Sequence, residues 1–211
     1  MSEADIVDVW LAGTDVPDPV LEEFRALLDP AERQRCDAIL RSADARRFVV
    51  AHGVLRRVVA DRLGTGEFRW VYGPNGKPGL AGGELQVNLS HSGDLVMVAL
   101  SASRPVGVDL QQVLPGLDVA AMAARFYPAS EASLVTGPDR FALLWTRKEA
   151  LVKAAGGRLT AGLAVPVAGP VPVLADHGGP YRIIDIEAPP GFRAAVALAG
   201  ADPFTVRVRE Y

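Results

Sequence analysis

The sequence predicts an α+β fold built as two similar lobes related by a pseudo-twofold axis, with the functional site in the cleft between them. Three observations carry this expectation. Each half of the 211-residue chain runs from helical to strand periodicity. Tight Gly/Pro punctuation separates the short apolar runs. A strand ending Val98-Ala99-Leu100 in the first half returns as Val196-Ala197-Leu198 in the second, a short repeat that points to duplication. The lobes are expected at residues 1–104 and 105–211, with a crevice suited to a ligand at their junction.

Each element follows from its residues. Ile6 to Leu11 reads as a strand, and a Pro-Asp-Pro turn leads to a helix from about Val20 to Leu28. Asp29-Pro30-Ala31-Glu32 has the form of a capping box with Pro at the first helical position. Ser42 is the expected cap of a longer helix in which Phe48, His52, Leu55, Val59 and Leu63 keep helical spacing until Gly64-Thr65-Gly66 stops it. Strands follow at Phe68–Tyr72, Leu85–Leu89 and Leu95–Leu100, with the turn Gly73-Pro74-Asn75-Gly76-Lys77-Pro78 after the first. Val106–Gln111 is another strand, Val119–Phe126 a helix, Ser130–Val135 a helical turn and Asp139–Ala155 a long helix closed by Gly156-Gly157. The Ala/Gly/Pro-rich stretch from Leu159 to Pro180 is expected to be irregular with at most short strands. Strands at Tyr181–Ile186, Arg193–Ala199 and Phe204–Arg209 finish the chain.

Composition narrows the function classes. An apolar fraction of 49% supports a real core, and a net charge of −3 argues against a general nucleic-acid binder. The opening Met1-Ser2-Glu3-Ala4-Asp5 precedes no signal-like apolar run, and no stretch approaches the roughly 20 apolar residues of a membrane span. A cytoplasmic, monomeric protein is the expectation. The single cysteine, Cys36, forms no internal disulfide, and it and His177 are read as structural or incidental. Between Arg25 and Arg62 nine arginines face five acidic residues, a basic segment of which most members should be solvated and one or two can hold phosphate.

The stretch Trp145-Thr146-Arg147-Lys148-Glu149-Ala150-Leu151-Val152-Lys153 is the most informative. On a helix, Phe141, Trp145 and Val152 form one stripe, and Lys148 and Glu149 flank it where an ordinary amphipathic helix has apolar residues. Charges there need a partner, a metal or a charged ligand, although an exposed Glu149–Lys153 pair is the plain alternative. The chain has only three lysines (Lys77, Lys148 and Lys153) among 22 basic residues, so each retained ammonium invites a reason. On a strand, Asp109 and Gln111 face the same side and can present two oxygens together, with Glu149 arriving from the helix. Such hard, sparse oxygen ligands suit Mg²⁺, which fills its other positions with water and phosphate. Lys148, Lys153 and His91 are then placed to contact phosphate oxygens.

Four motifs in order, Gly76-Lys77-Pro78, Asn88-Leu89-Ser90-His91-Ser92-Gly93, Val106-Gly107-Val108-Asp109-Leu110-Gln111 and Phe141 through Lys153 to Gly156, resemble those of the 4′-phosphopantetheinyl transferases of the surfactin-synthetase-activating type. The resemblance spans roughly residues 29–157. It implies transfer of the phosphopantetheine arm of coenzyme A to a serine of an apo acyl or peptidyl carrier protein, with Mg²⁺, releasing adenosine 3′,5′-bisphosphate. By position it implies that Asp109 and Glu149 are metal ligands, with Glu149 also the general base, and that Lys148 and Lys153 lie near the pyrophosphate. It also implies coenzyme A contacts at Ser90 and His91, an adenine-side wall at Gly76, Lys77 and Pro78, and a 3′-phosphate partner in Arg47. One departure stands out: the family pattern Asp-x-Glu reads Asp109-Leu110-Gln111 here, so the protein supplies two negative charges where three are usual.

Plainer readings compete. Ser90 and His91 can be a self-satisfied turn, Asp109 can close a loop, and Trp145 and His52 can be core packing. Two other functions are consistent with the residues: a non-catalytic protein that keeps the coenzyme A cleft, favoured by Gln111, and a metal-dependent hydrolase of nucleotide pyrophosphates.

Overall fold

The computed structural model describes residues 5–211, so the acidic opening at Met1–Ala4 lies outside the described residues. Two four-stranded sheets form its centre, of order β10-β1-β5-β4 and β6-β9-β8-β7. The first sheet takes β1 (Asp5–Gly13), β4 (Gln86–Ser92), β5 (Leu95–Ser101) and β10 (Phe204–Glu210). The second takes β6 (Val106–Gln112), β7 (Val173–Asp176), β8 (Pro180–Ile186) and β9 (Phe192–Ala199). A separate hairpin joins β2 (Trp70–Tyr72) to β3 (Pro78–Leu80) across the predicted Gly-Pro-Asn-Gly turn.

Alternation along the strands explains the layering. Val7, Val9, Met97 and Ala99 on one face of the first sheet pack against Val106, Val108, Leu110, Ala194, Val196 and Leu198 of the second. The opposite face, with Val87, Val96, Val98 and Leu100, is covered by α3 (Ser42–Leu63), on which α1 (Asp18–Leu27) and α2 (Pro30–Asp37) rest. The outer face of the second sheet, with Ala195 and Ala197, is covered by α6 (Pro138–Ala155), flanked by α4 (Val119–Phe126), α5 (Ala129–Ala132) and α7 (Leu159–Gly162). The result is helix, sheet, sheet, helix. The α+β class expected from the sequence is therefore present.

Local rules account for most boundaries. Asp29 and Glu32 form the capping box in both directions, the Asp29 carboxylate accepting from Glu32 N–H at 2.8 Å and the Glu32 carboxylate from Asp29 N–H at 3.0 Å. Helix α6 starts with Pro138 in its first turn and ends on Gly156 at φ 66°, a left-handed cap that favours glycine. Ser42 is not the cap of α3: Arg41 holds that place without a side-chain bond, and Ser42 is the first helical residue. Within Leu159–Pro180 the chain makes α7 and β7, elements too short for a periodicity to show.

The expected boundary at 104/105 separates the first five strands from the rest. It falls between β5 and β6, but β10 leaves the second half and pairs in parallel with β1, from Asp5 opposite Phe204 to Leu11 opposite Glu210. The first sheet thus contains both ends of the described chain. Arg207 anchors this return through a two-pronged contact to Asp8 at 2.9 and 3.1 Å.

Candidate active site

Strand β6 and helix α6 meet face to face because Gly107 has no side chain. A Cβ there would lie 2.0 Å from the Ala150 carbonyl oxygen and 2.4 Å from the Ala154 nitrogen. With the helix backbone this close, the next residues on the same strand face, Asp109 and Gln111, are aimed toward α6 as the two-residue period requires. Asp109 is buried at 4% exposure and meets Lys153, whose ammonium lies 2.6 Å from Oδ1. Lys153 therefore pairs across the β6–α6 junction, and the exposed i,i+4 pair with Glu149 does not form.

The remaining carboxylate oxygen matters most. Asp109 Oδ2 is buried without any hydrogen-bond partner, a state whose desolvation cost calls for an explanation. Glu149, one turn before Lys153, stands close enough to Asp109 for the two carboxylates to repel. Burial first, and then the Asp109 charge, push the Glu149 carboxyl up to about 7, with Lys153 only partly opposing them. Two carboxylates that resist joint ionisation, one with a free buried oxygen, form a donor set that a hard divalent cation relieves. Among the described residues no three His, Cys, Asp or Glu side chains gather as a metal cluster, so any ion here would have few protein ligands. Gln111 lies half-buried on the same strand face, its amide nitrogen bonded to the Gln112 carbonyl at 3.0 Å.

Ser90 joins this group from β4. Its Oγ lies 2.7 Å from Asp109 Oδ1, 3.0 Å from Lys153 Nζ and 3.3 Å from Leu110 N. Lys153 and the amide only donate, so the hydroxyl proton must go to Asp109, and the hydroxyl's one donor and two acceptor positions are filled. The hydroxyl expected to contact coenzyme A is thus engaged within the protein. His91, the next residue, points the other way on the strand and is open to solvent on one side. Neighbouring chain still desolvates it, and with the positive charges of Arg47 and Lys153 this lowers its pKa. Arg47 on α3 donates to the Gly93 carbonyl at 2.8 Å and to Asp44 at 2.9 Å, so it borders the Ser90–Gly93 segment.

The other two lysines are engaged within the protein. Lys148 is fully buried, with 0% exposure, and its ammonium is paired with Glu131, bonded to the Val165 carbonyl and set 5.0 Å over the Tyr127 ring. It does not reach the Asp109 group, because one residue along a helix turns the side chain by about 100°. The predicted need for a partner was real, but the partner is a buried carboxylate. Lys77 bonds the Val106 and Ala154 carbonyls at 2.9 and 3.0 Å, and burial brings its pKa down to about 8. The Gly76-Lys77-Pro78 turn is thus docked on the end of α6, helped by Asn75, whose side-chain amide donates to the Gly156 carbonyl at 2.9 Å.

Glu131 and Arg147 were missed by the sequence reading. Glu131 accepts from the Val167 and Ala168 amides while it pairs with Lys148. Arg147, at 3% exposure, grips Asp185 with two bonds of 2.7 and 2.6 Å and donates to the Val167 and Gly169 carbonyls. A buried Arg in the run Arg147-Lys148-Glu149 was the available signal. Trp145 stacks on Phe141 with ring centroids 5.7 Å apart, and His52 stacks on Phe48 while bonded to Glu32 at 2.8 Å, which fits the packing roles expected of both.

Comparison with known proteins bears on this arrangement. The profile of the 4′-phosphopantetheinyl transferase superfamily matches residues 105–199, which run from the start of β6 to the end of β9. The 4′-phosphopantetheinyl transferase HetI of Nostoc sp. is 29% identical over 211 aligned positions, covering 93% of this chain and 89% of the relative. A Synechocystis sp. protein, slr0495, assigned by name to the same class, is 34% identical over 166 positions, covering 74% of this chain and 67% of the relative. The 4′-phosphopantetheinyl transferase of Bacillus subtilis is 29% identical over 180 positions, covering 81% and 75%. With likeness of this extent across both sheets, the chain belongs to the 4′-phosphopantetheinyl transferase superfamily.

Proposed function

We propose that the protein transfers the 4′-phosphopantetheine arm of coenzyme A to a serine of an apo acyl or peptidyl carrier protein, with Mg²⁺, releasing adenosine 3′,5′-bisphosphate. Family membership supports the reaction class, and one observation carries the site: the unpartnered Asp109 Oδ2 beside Glu149, a carboxyl held at about 7. In this reading Asp109 and Glu149 hold Mg²⁺, with Gln111 on the same face contributing a neutral oxygen. The bound ion would supply charge neutralisation for the diphosphate, the main requirement of phosphoryl-centred transfer.

The chain's own residues do the rest. Glu149 is the base that accepts the acceptor serine's proton, a role open to a carboxylate within hydrogen-bond reach of the attacking oxygen. Lys153 presents its ammonium to the diphosphate from the position fixed by Asp109 and Ser90. Arg47 gives a cationic border for the phosphates of coenzyme A, and His91, whose pKa is lowered, offers a neutral ring N–H beside it. The Gly76-Lys77-Pro78 turn walls the adenine side through its backbone and proline ring, since the Lys77 ammonium is engaged by carbonyls. The two lobes, 1–104 and 105–211 with β10 of the second returned to the sheet of the first, are proposed to be related by a pseudo-twofold axis, a reading supported by the helix-on-sheet pairing of α3 and α6. The protein is further proposed to act as a cytoplasmic monomer on small acidic carriers. Its net charge of −3 and the lack of a helix long and apolar enough to cross a membrane, among the described residues, favour no nucleic-acid or membrane partner.

The test is the intact mass of an apo-carrier incubated with the protein, coenzyme A and Mg²⁺. A gain of one phosphopantetheine arm, abolished by chelation, is expected. An unchanged carrier with coenzyme A bound would favour the non-catalytic reading that Gln111 raises, and bisphosphate released without any carrier would favour a hydrolase.

A further inference from the structure

The two sheets are joined edge to edge by a ladder made of side chains. On β4, Asn88, Ser90 and Ser92 lie two residues apart, and each accepts a hydrogen bond from a backbone N–H of β6: Val108 at 2.8 Å, Leu110 at 3.3 Å and Gln112 at 2.9 Å. Strand β6 is the edge of its sheet and β4 the edge of the other, so these amides would otherwise be unpaired donors at a buried seam. The motif that includes Asn88, Ser90 and Ser92 is therefore a device that sets the register of one sheet against the other. Only its middle rung does more. Ser90 also donates to Asp109 Oδ1 and accepts from Lys153, and both Ser90 and Asp109 are buried, at 5% and 4% exposure.

We infer that Ser90 is a positioning residue for the cation site: its hydroxyl, held by the seam, ties down Asp109 Oδ1 so that Oδ2 is left free and fixed in direction for the ion. This rests on the reading of Asp109 and Glu149 as ion ligands given above. A carboxylate can rotate about its last bond, and with the Lys153 ammonium alone Oδ1 would have one anchor where the structure gives it two. Ser90 fixes it because the hydroxyl is itself fixed by the Leu110 amide, a neighbour of Asp109 on the same strand. Outer partners of this kind commonly govern ion affinity by about 10- to 100-fold. The arrangement also couples the ion to lobe registry, since the group that orients the β6 ligand belongs to the other sheet.

Ser92 provides the matched control, for it makes the same kind of seam bond without touching Asp109. Mn²⁺ affinity in the presence of coenzyme A, read by electron paramagnetic resonance, should fall about tenfold or more in Ser90→Ala and stay within about twofold of wild type in Ser92→Ala. Ser90→Ala should lose more thermal stability than Ser92→Ala, since it removes the bonds to Asp109 and Lys153 as well as stranding one amide. Should Ser90→Ala not fold, Ser90→Cys keeps the volume and a weak donor and is expected to lose affinity in the same direction. Wild-type affinity in the folded Ser90 variant, or equal loss in the Ser92 variant, would overturn the inference while wild-type transfer and Mn²⁺ binding left the proposed function standing. Failure of the wild-type chain to bind Mn²⁺ would overturn both.

Discussion

At the scale of single residues, charge in the apolar arc of α6 divides into two roles. Lys148 is spent on Glu131 in the interior, and Glu149 is left facing Asp109 with its carboxyl at about 7. Replacing Glu149 with Gln removes a desolvated, like-charged group, so the ion-free protein should gain a few degrees in Tm while transfer falls by about 100-fold or more. Thermal melts and the carrier mass assay check the two halves. Truncating Lys148 to Ala instead leaves a buried carboxylate without its cation and should cost about 3–5 kcal/mol in urea unfolding. The folded fraction should keep its KM for coenzyme A, and a tenfold rise would return Lys148 to the diphosphate. The sequence showed that both charges need partners, and it placed Asp109, Glu149 and Lys153 together. It did not show which partner Lys148 takes, because Glu131 sits on a four-residue helix with no pattern of its own.

At the scale of elements, the site depends on how closely β6 approaches α6. Gly107 permits that approach, and Gly107→Ala places a methyl within 2.0 Å of the Ala150 oxygen, where backbone cannot yield cheaply. The expected result is loss of several kcal/mol of stability, seen as a lowered urea midpoint, together with weakened ion binding as Asp109 is pushed from Glu149. Long periodic elements such as α3 and α6 were legible to within a residue or two at their ends. Elements shaped by tertiary contact were not: β3 and α7 have three and four residues, too few for any period to register. The expected Ser42 cap failed for a related reason, since a good capping residue says nothing of whether the chain enters the helix one residue earlier.

At the scale of the molecule, the least legible feature is the parallel pairing of β10 with β1, a contact between opposite ends of the chain that no local pattern announces. The network centred on buried Glu32, with Asp29, His52, Arg56 and Tyr72 around it, ties α2, α3 and the β2–β3 hairpin together and is similarly nonlocal. Although burial opposes it, bonds from His52 and the Asp29 amide and the charges of His52 and Arg56 bring the Glu32 carboxyl down to about 2. Its folded value is therefore below the ordinary carboxylate range. Native structure binds fewer protons than the unfolded chain between that range and about 2, so this contribution is complete above it and is lost as pH falls through the window. Acid melts should show Glu32→Gln with lower stability at neutral pH and a shallower decline below pH 4 or so.

The proposed function requires side-chain oxygens of Asp109 and Glu149 to converge on one divalent cation. Anomalous diffraction from crystals grown with coenzyme A and Mn²⁺ tests it most directly. A single strong peak is expected within coordinating distance of Asp109 Oδ2 and the Glu149 carboxylate, about 2.0–2.6 Å away. A peak elsewhere, or an ordered coenzyme A diphosphate with no ion between it and these two carboxylates, would contradict it.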